Sequence, residues 1–221
     1  MFMMDEELLK PDELARVAAV FRQGRFIDGR ASNPHNTSKV SQIADVTDPL
    51  IEEASQIVDA AIRRSDLANR FVLPNRIAAP MPCRYGVGGQ YGAHTDTSLM
   101  TVAGQRIRSD VSCSVFISDP ASYQGGELLV YLGSEVVAIK GKPGAAIFYP
   151  STTLHQVNPV TAGERQVVLT FIQSYVADAD QREMLYWLDE VRAREGLKMA
   201  WASRVRLGYV RENLVRMWAQ G

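Results

Sequence analysis

The chain has 221 residues, 46% of them hydrophobic, with 24 Lys plus Arg set against 25 Asp plus Glu. That length and apolar share suit one sizeable core, and the balanced charge leaves no basic field to gather a nucleic acid or an anionic membrane. No apolar run reaches the length needed to span a bilayer, so neither nucleic acid nor membrane is an expected partner.

Asp5, Glu6 and Glu7 stand where a secretory signal would carry positive charge. Cys83 and Cys113 show no CxxC pairing, which fits packing roles in a reduced, cytoplasmic setting. Residues 11–21 open on a proline and acids and carry apolar residues at helical spacing, predicting an amphipathic helix that ends near Gly24. Residues 26–40 are rich in turn-forming and polar residues and are predicted as a surface loop, with His35 exposed and not a ligand. Leu50, Ile51, Ala54, Ile57, Val58, Ala61 and Ile62 share one helical face after the start signal Thr47-Asp48-Pro49, predicting a second helix packed on a sheet.

From Phe71 the pattern changes to short apolar or alternating runs separated by Gly and Pro. Strands are predicted at 76–85, 91–96, 111–118, 127–131, 135–140, 145–149, 153–157 and 164–175, enough for a jelly roll. Residues 97–110 show no clear period and are predicted as a loop beside whatever His94 and Asp96 bind. After Val176 the helical period returns, first with Met184, Leu185, Leu188 and Val191 on one face and then with Val205, Val210, Leu214, Val215 and Trp218. The expected class is α+β with a mainly β core: an N-terminal helical segment (1–70) packing on the core, a jelly-roll domain (71–177) and a C-terminal helical extension (178–221). Trp201 and Trp218 on the last helices make a homo-oligomer reasonable.

His94 and Asp96 lie two apart in strand-like sequence, so an imidazole and a carboxylate can share one face. His155 follows downstream and completes a set of two histidines and one carboxylate. Such a set on one octahedral face leaves positions open, as in non-heme Fe(II) sites that activate O₂. Zinc hydrolases use the same donors, so ligand identity alone does not choose the metal. Arg165 opens the apolar run 166–172, where a guanidinium is well suited to hold a distal carboxylate in bidentate fashion, although an arginine after Gly163-Glu164 is also a common surface charge. The glycine stretches 86–89 and 141–144 lack the spacing and the Lys-Ser/Thr of a phosphate loop and read as turns.

With these residues in place, the chain resembles the PKHD-type hydroxylases, bacterial relatives of the prolyl 4-hydroxylase group of Fe(II)/2-oxoglutarate (2OG) dioxygenases. Besides His94, Asp96, His155 and Arg165, the matching text includes Arg25-Phe26-Ile27-Asp28-Gly29, Tyr85-Gly86 with Tyr91, and Arg108-Ser109-Asp110-Val111-Ser112. It continues through Phe116-Ile117-Ser118-Asp119-Pro120, Tyr123-Gln124-Gly125-Gly126-Glu127-Leu128, Tyr149-Pro150-Ser151, Pro159-Val160-Thr161 and Ile172-Gln173-Ser174. Ala31-Ser32-Asn33-Pro34-His35 departs from the usual family text.

The resemblance implies a double-stranded β-helix, a jelly-roll variant. It implies His94, Asp96 and His155 as Fe(II) ligands, Arg165 as partner of the far carboxylate of 2OG, and Tyr85 as a hydroxyl donor to that carboxylate. It implies O₂ as co-reactant, L-ascorbate as a reductant, and hydroxylation of a C–H group with release of succinate and CO₂. Asp96 favours hydroxylation over halogenation, because related halogenases have a small residue in its place. Tyr91, Arg106 and Arg108 are the candidate contacts to a small-molecule or peptidyl substrate. Two other readings stand beside this one: a cupin-like metal-binding jelly roll without 2OG chemistry, and a module that senses iron or 2OG.

Overall fold

A computed structural model of the chain describes residues 1–33, 36–102 and 104–220; the expectation for His35 lies outside them. Two antiparallel sheets face each other and enclose the site. The larger runs in the order Met3–Asp5, Ala146–Pro150, Val111–Phe116, Arg165–Ser174, Met81–Tyr85, Gln42–Ala44 and Phe26–Asp28, with Pro74–Ile77 also paired to Arg165–Ser174. The smaller runs Glu135–Ile139, Leu128–Leu132, His155–Val157, Gln90–His94 and Lys39–Val40.

Alternation along the central strands assigns the layers. Val168 and Ile172 turn outward, together with Val111 and Val115, to meet two helices; Arg165, Val167, Leu169 and Phe171 turn inward. The helices are α1 (Pro11–Gln23) and α2 (Pro49–Arg64). Val17, Val20 and Phe21 of α1 and Ile51, Ala54, Val58, Ala61 and Ile62 of α2 are buried. Burial of each of the larger side chains contributes roughly 1.5–3 kcal/mol. Asp48 caps α2 by accepting from the Leu50 N–H at 3.1 Å, with Pro49 supplying a fixed φ at the first helical position.

Several expectations are corrected. Residues 1–70 do more than pack helices on the core, since Met3–Asp5, Phe26–Asp28, Lys39–Val40 and Gln42–Ala44 are built into the two sheets. The loop expected at 26–40 therefore includes sheet edge, and its strands of two or three residues are too short to show alternation. The run 76–85 splits at Pro80, which has no N–H to donate, into two strands that pair with successive parts of Arg165–Ser174. Residues 97–110 contain a hairpin, Leu99–Val102 with Gln105–Arg108.

At the C-terminal end lie α3 (Ala179–Glu195) and α4 (Trp201–Trp218). Met184 and Val191 are exposed, and the buried stripe of α3 is Arg182, Leu185, Tyr186 and Asp189. That stripe keeps helical spacing but has polar members. Arg182 donates to the carbonyls of Val176 and Ala177, both at 2.8 Å, and Asp189 pairs with Arg211 of α4 at 2.9 Å. No side chain of α4 is buried, and Trp201, Tyr209 and Met217 are exposed. No helix among the described residues is long and apolar enough to cross a membrane.

Candidate functional site

His94 ends its strand and His155 begins the neighbouring one, and the two residues are direct register partners. This places their rings 4.3 Å apart between centroids. Asp96 lies beyond the strand end, so the strand-face argument for the pair holds only up to His94. The Asp96 N–H donates to the Ser151 carbonyl at 3.2 Å, and this contact returns the carboxylate to the histidines. One ligand atom from each of His94, Asp96 and His155 lies within 4.8 Å of the other two.

The protonation pattern suits a cation. His94 Nδ1 donates to the Gly92 carbonyl at 2.8 Å and His155 Nδ1 donates to the Thr153 carbonyl at 2.9 Å, since a carbonyl can only accept. In the neutral imidazoles both Nε2 atoms are thereby lone-pair donors facing Asp96, each 3.7 Å from one of its oxygens. Burial and the neighbouring His155 hold the His94 imidazole below its ordinary pKa, which keeps it neutral. Two imidazole lone pairs and a carboxylate converging without a proton between them fit a divalent metal. Ser112 donates to Asp96 Oδ2 at 2.5 Å, and its hydroxyl lies 2.8 Å from that of Ser151, which is 2.8 Å from that of Ser109. This buried serine chain fixes the carboxylate.

The cavity, about 130 Å³, extends from this cluster between the sheets to Arg165. Arg165 is 1% exposed, and its Nε and Nη1 have no hydrogen-bond partner among the described residues. An uncompensated buried guanidinium costs several kcal/mol, of order 3–5, so this position is suited to an anion. Tyr85 is its register partner on the next strand, and burial pushes the phenol well above its ordinary pKa, leaving a neutral O–H donor. These residues fit a dicarboxylate lying between Arg165 and the metal cluster.

Tyr91 also lines the cavity, its ring stacked on His94 at 3.6 Å, with its hydroxyl accepting from Asn33 at 2.9 Å. Arg106 and Arg108 do not line it. Arg106 is exposed on the hairpin, and Arg108 is engaged with Asp110, Nε to Oδ1 at 2.6 Å, and with Gln220. Sequence reasoning missed Ser112, Tyr149, Asn33 and Lys39, all of which line the cavity. Ser112 and Tyr149 sit in runs whose alternation places them inward, whereas Asn33 and Lys39 lie in polar turn sequence with no such signal.

Comparison with known proteins agrees with this geometry. The model of the 2OG-Fe(II) oxygenase superfamily matches residues 80–173, a span holding all four residues of the metal and arginine set. A PKHD-type hydroxylase of Sphingopyxis alaskensis is 42% identical over 214 residues, covering 96% of this chain and 97% of that protein. One from Thioalkalivibrio sulfidiphilus is 38% identical, covering 96% of each. Among solved structures, a Pseudomonas putida prolyl-4-hydroxylase superposes with a TM-score of 0.58 at 17% identity, over 78% of this chain and 92% of that one. This last likeness concerns the fold, a double-stranded β-helix.

Proposed function

The chain belongs to the PKHD-type hydroxylases of the 2OG-Fe(II) oxygenase superfamily, and from that membership we propose how its own residues divide the work. The activity is that of an Fe(II)- and 2OG-dependent dioxygenase, which hydroxylates a C–H group and releases succinate and CO₂. In this reading His94, Asp96 and His155 hold Fe(II), and Arg165 with Tyr85 holds the far carboxylate of 2OG. When bound, the iron and 2OG supply the oxidising chemistry, in which O₂ converts 2OG to succinate and CO₂ and transfers one oxygen atom to the substrate.

The observation that carries the assignment is the two buried donors on Arg165 that have no partner among the described residues, in the wall of the same cavity that holds the metal cluster. A carboxylate in the cavity accepts from one of these donors, gives the charge its counter-ion and sets the angle of the keto acid. Tyr85 adds a neutral hydroxyl. Ser112 holds Asp96 Oδ2, leaving Oδ1 for the metal, and the two backbone carbonyls hold the imidazoles in the tautomer that ligates. A cupin-like site without 2OG gives Arg165 no role.

The substrate enters beside Tyr91 and is a small molecule or a peptidyl residue. L-Ascorbate serves as reductant, the protein works in the cytoplasm, and neither nucleic acid nor membrane takes part. The exposed aromatic face of α3 and α4, with Trp187 and Trp201, supports self-association with a second copy of the chain, which light scattering tests. For the site itself the experiment is a crystal grown with Mn(II) and 2OG. Carboxylate density against Arg165 and Tyr85, with the metal on His94, Asp96 and His155, is the expected result; 2OG bound elsewhere overturns the assignment.

A further inference from the structure

A second cation faces the same cavity. Lys39 is 6% exposed, and its strand pairs with Gln90–His94, placing it opposite Tyr91. Its ammonium lies 5.0 Å from the centre of the Tyr91 ring, the ring that stacks on His94. One of its three N–H donors goes to the Ser32 hydroxyl at 2.6 Å, and that hydroxyl in turn donates to the Gly29 carbonyl at 3.0 Å. Among the described residues no carboxylate lies within 4.0 Å of the nitrogen: Asp28 is taken by Arg30, and Asp96 is held by Ser112.

Burying an ammonium without a close counter-ion is costly, and one hydroxyl and the Tyr91 ring offset only part of that cost, so an anion arriving in the cavity would be favoured beside it. 2OG does not supply it. In the loaded site Asp96 and 2OG bring three negative charges, which the divalent metal and Arg165 match, leaving the charge of Lys39 over. Burial draws its pKa down, against the weaker opposing influence of Cys83, Asp96 and Asp28.

We propose that Lys39 anchors a carboxylate of the substrate, so that the molecule hydroxylated is an acid whose carboxylate is held beside Tyr91 and whose reacting carbon faces the metal cluster. The inference rests on the Fe(II)/2OG reading of the site. A single ammonium with two donors unused among the described residues matches a single carboxylate in charge and in donor number. The carboxylate belongs either to a free small acid or to an acidic residue of a peptide.

The test uses protein loaded with Mn(II) and saturating 2OG, which blocks Arg165 and does not turn over. Proton relaxation of added probes, enhanced by nearby Mn(II), reports binding close to the metal. The probes are propionate against propionamide, and a blocked Ala-Glu-Ala tripeptide against its Gln counterpart. The expected result is enhancement for one acid and not for its amide, which also identifies the source. In Lys39→Met the enhancement falls about tenfold, the effect of losing a charge-assisted contact, and in Lys39→Arg it is partly kept. Bound 2OG, measured in the same samples, shows that each variant is folded. Equal enhancement by acid and amide in the unaltered protein, or an unchanged effect in Lys39→Met, overturns the anchor alone. Failure of the unaltered protein to bind Mn(II) and 2OG overturns the underlying reading and the anchor with it.

Discussion

Arg165 and Tyr85 are register partners on neighbouring strands, with the guanidinium carbon 5.1 Å from the centre of the Tyr85 ring and both side chains 1% exposed. The strand pairing thus sets a cation and a phenol side by side in the wall of the cavity. Replacing Arg165 with Ala removes a bidentate, charge-assisted contact of about 1.5–3 kcal/mol per bond, so 2OG affinity falls by roughly 10²-fold or more. Arg165→Lys recovers little of it, since an ammonium lacks the planar fork. Calorimetric titration with 2OG and metal analysis check both halves: affinity for 2OG drops while metal content stays.

Asp96 depends on Ser112 in the same way that Arg165 depends on its surroundings. Ser112→Ala deletes the 2.5 Å hydrogen bond to Oδ2 and frees the carboxylate to rotate. Loss of such a supporting contact costs roughly 10–100-fold in metal affinity. Competition with a chelator of known affinity measures it, and an unchanged affinity would show that the Asp96 backbone contact to Ser151 holds the carboxylate by itself.

The buried phenols give a pH signature. Burial raises the pKa of Tyr85 and Tyr149 well above the ordinary value, while the unfolded chain ionises near pH 10. The unfolded state therefore binds fewer protons above that pH, and stability falls as pH rises from about 10 towards the folded-state pKa. An ultraviolet titration is expected to show two of the eight tyrosines ionising only on unfolding. Normal ionisation of all eight in folded protein contradicts the burial.

Gly126 supports the stem of Arg165. Its φ is +65°, and a Cβ there would come within 2.9 Å of Val160 Cγ2 and 3.2 Å of Arg165 Cδ. Gly126→Ala is predicted to lower stability by about 1–2 kcal/mol from the left-handed backbone alone, and to weaken 2OG binding by displacing Arg165. Thermal unfolding and 2OG titration of the same variant separate the two effects.

Much of this architecture was legible in the chain. The helical stripes of α1 and α2 and the alternation of residues 164–175 follow from burial of one face, which leaves a periodic trace. His94 and Asp96 stood out as a histidine and a carboxylate two residues apart, and His155 and Arg165 as the downstream residues that complete a metal set and a carboxylate anchor. The structure adds what periodicity does not carry. Short edge strands such as Lys39–Val40 have too few residues to alternate, so the part of the wall formed by Asn33 and Lys39 looked like a loop. Arg108 looked available to a substrate because sequence does not reveal that Asp110, two residues away, already holds it. The inward stripe of α3 was misassigned because Arg182 and Asp189 are satisfied by partners distant in the fold or across a helix pair.

The most direct test of the account is the conversion of 2OG to succinate by purified protein with Fe(II) and O₂, with no substrate added, in the unaltered chain and in His94→Ala and Asp96→Ala. Slow uncoupled formation of succinate in the unaltered chain, abolished in both variants, is predicted. Absence of succinate from the unaltered chain even with a broad panel of substrates, or its persistence in Asp96→Ala, would contradict the central claim.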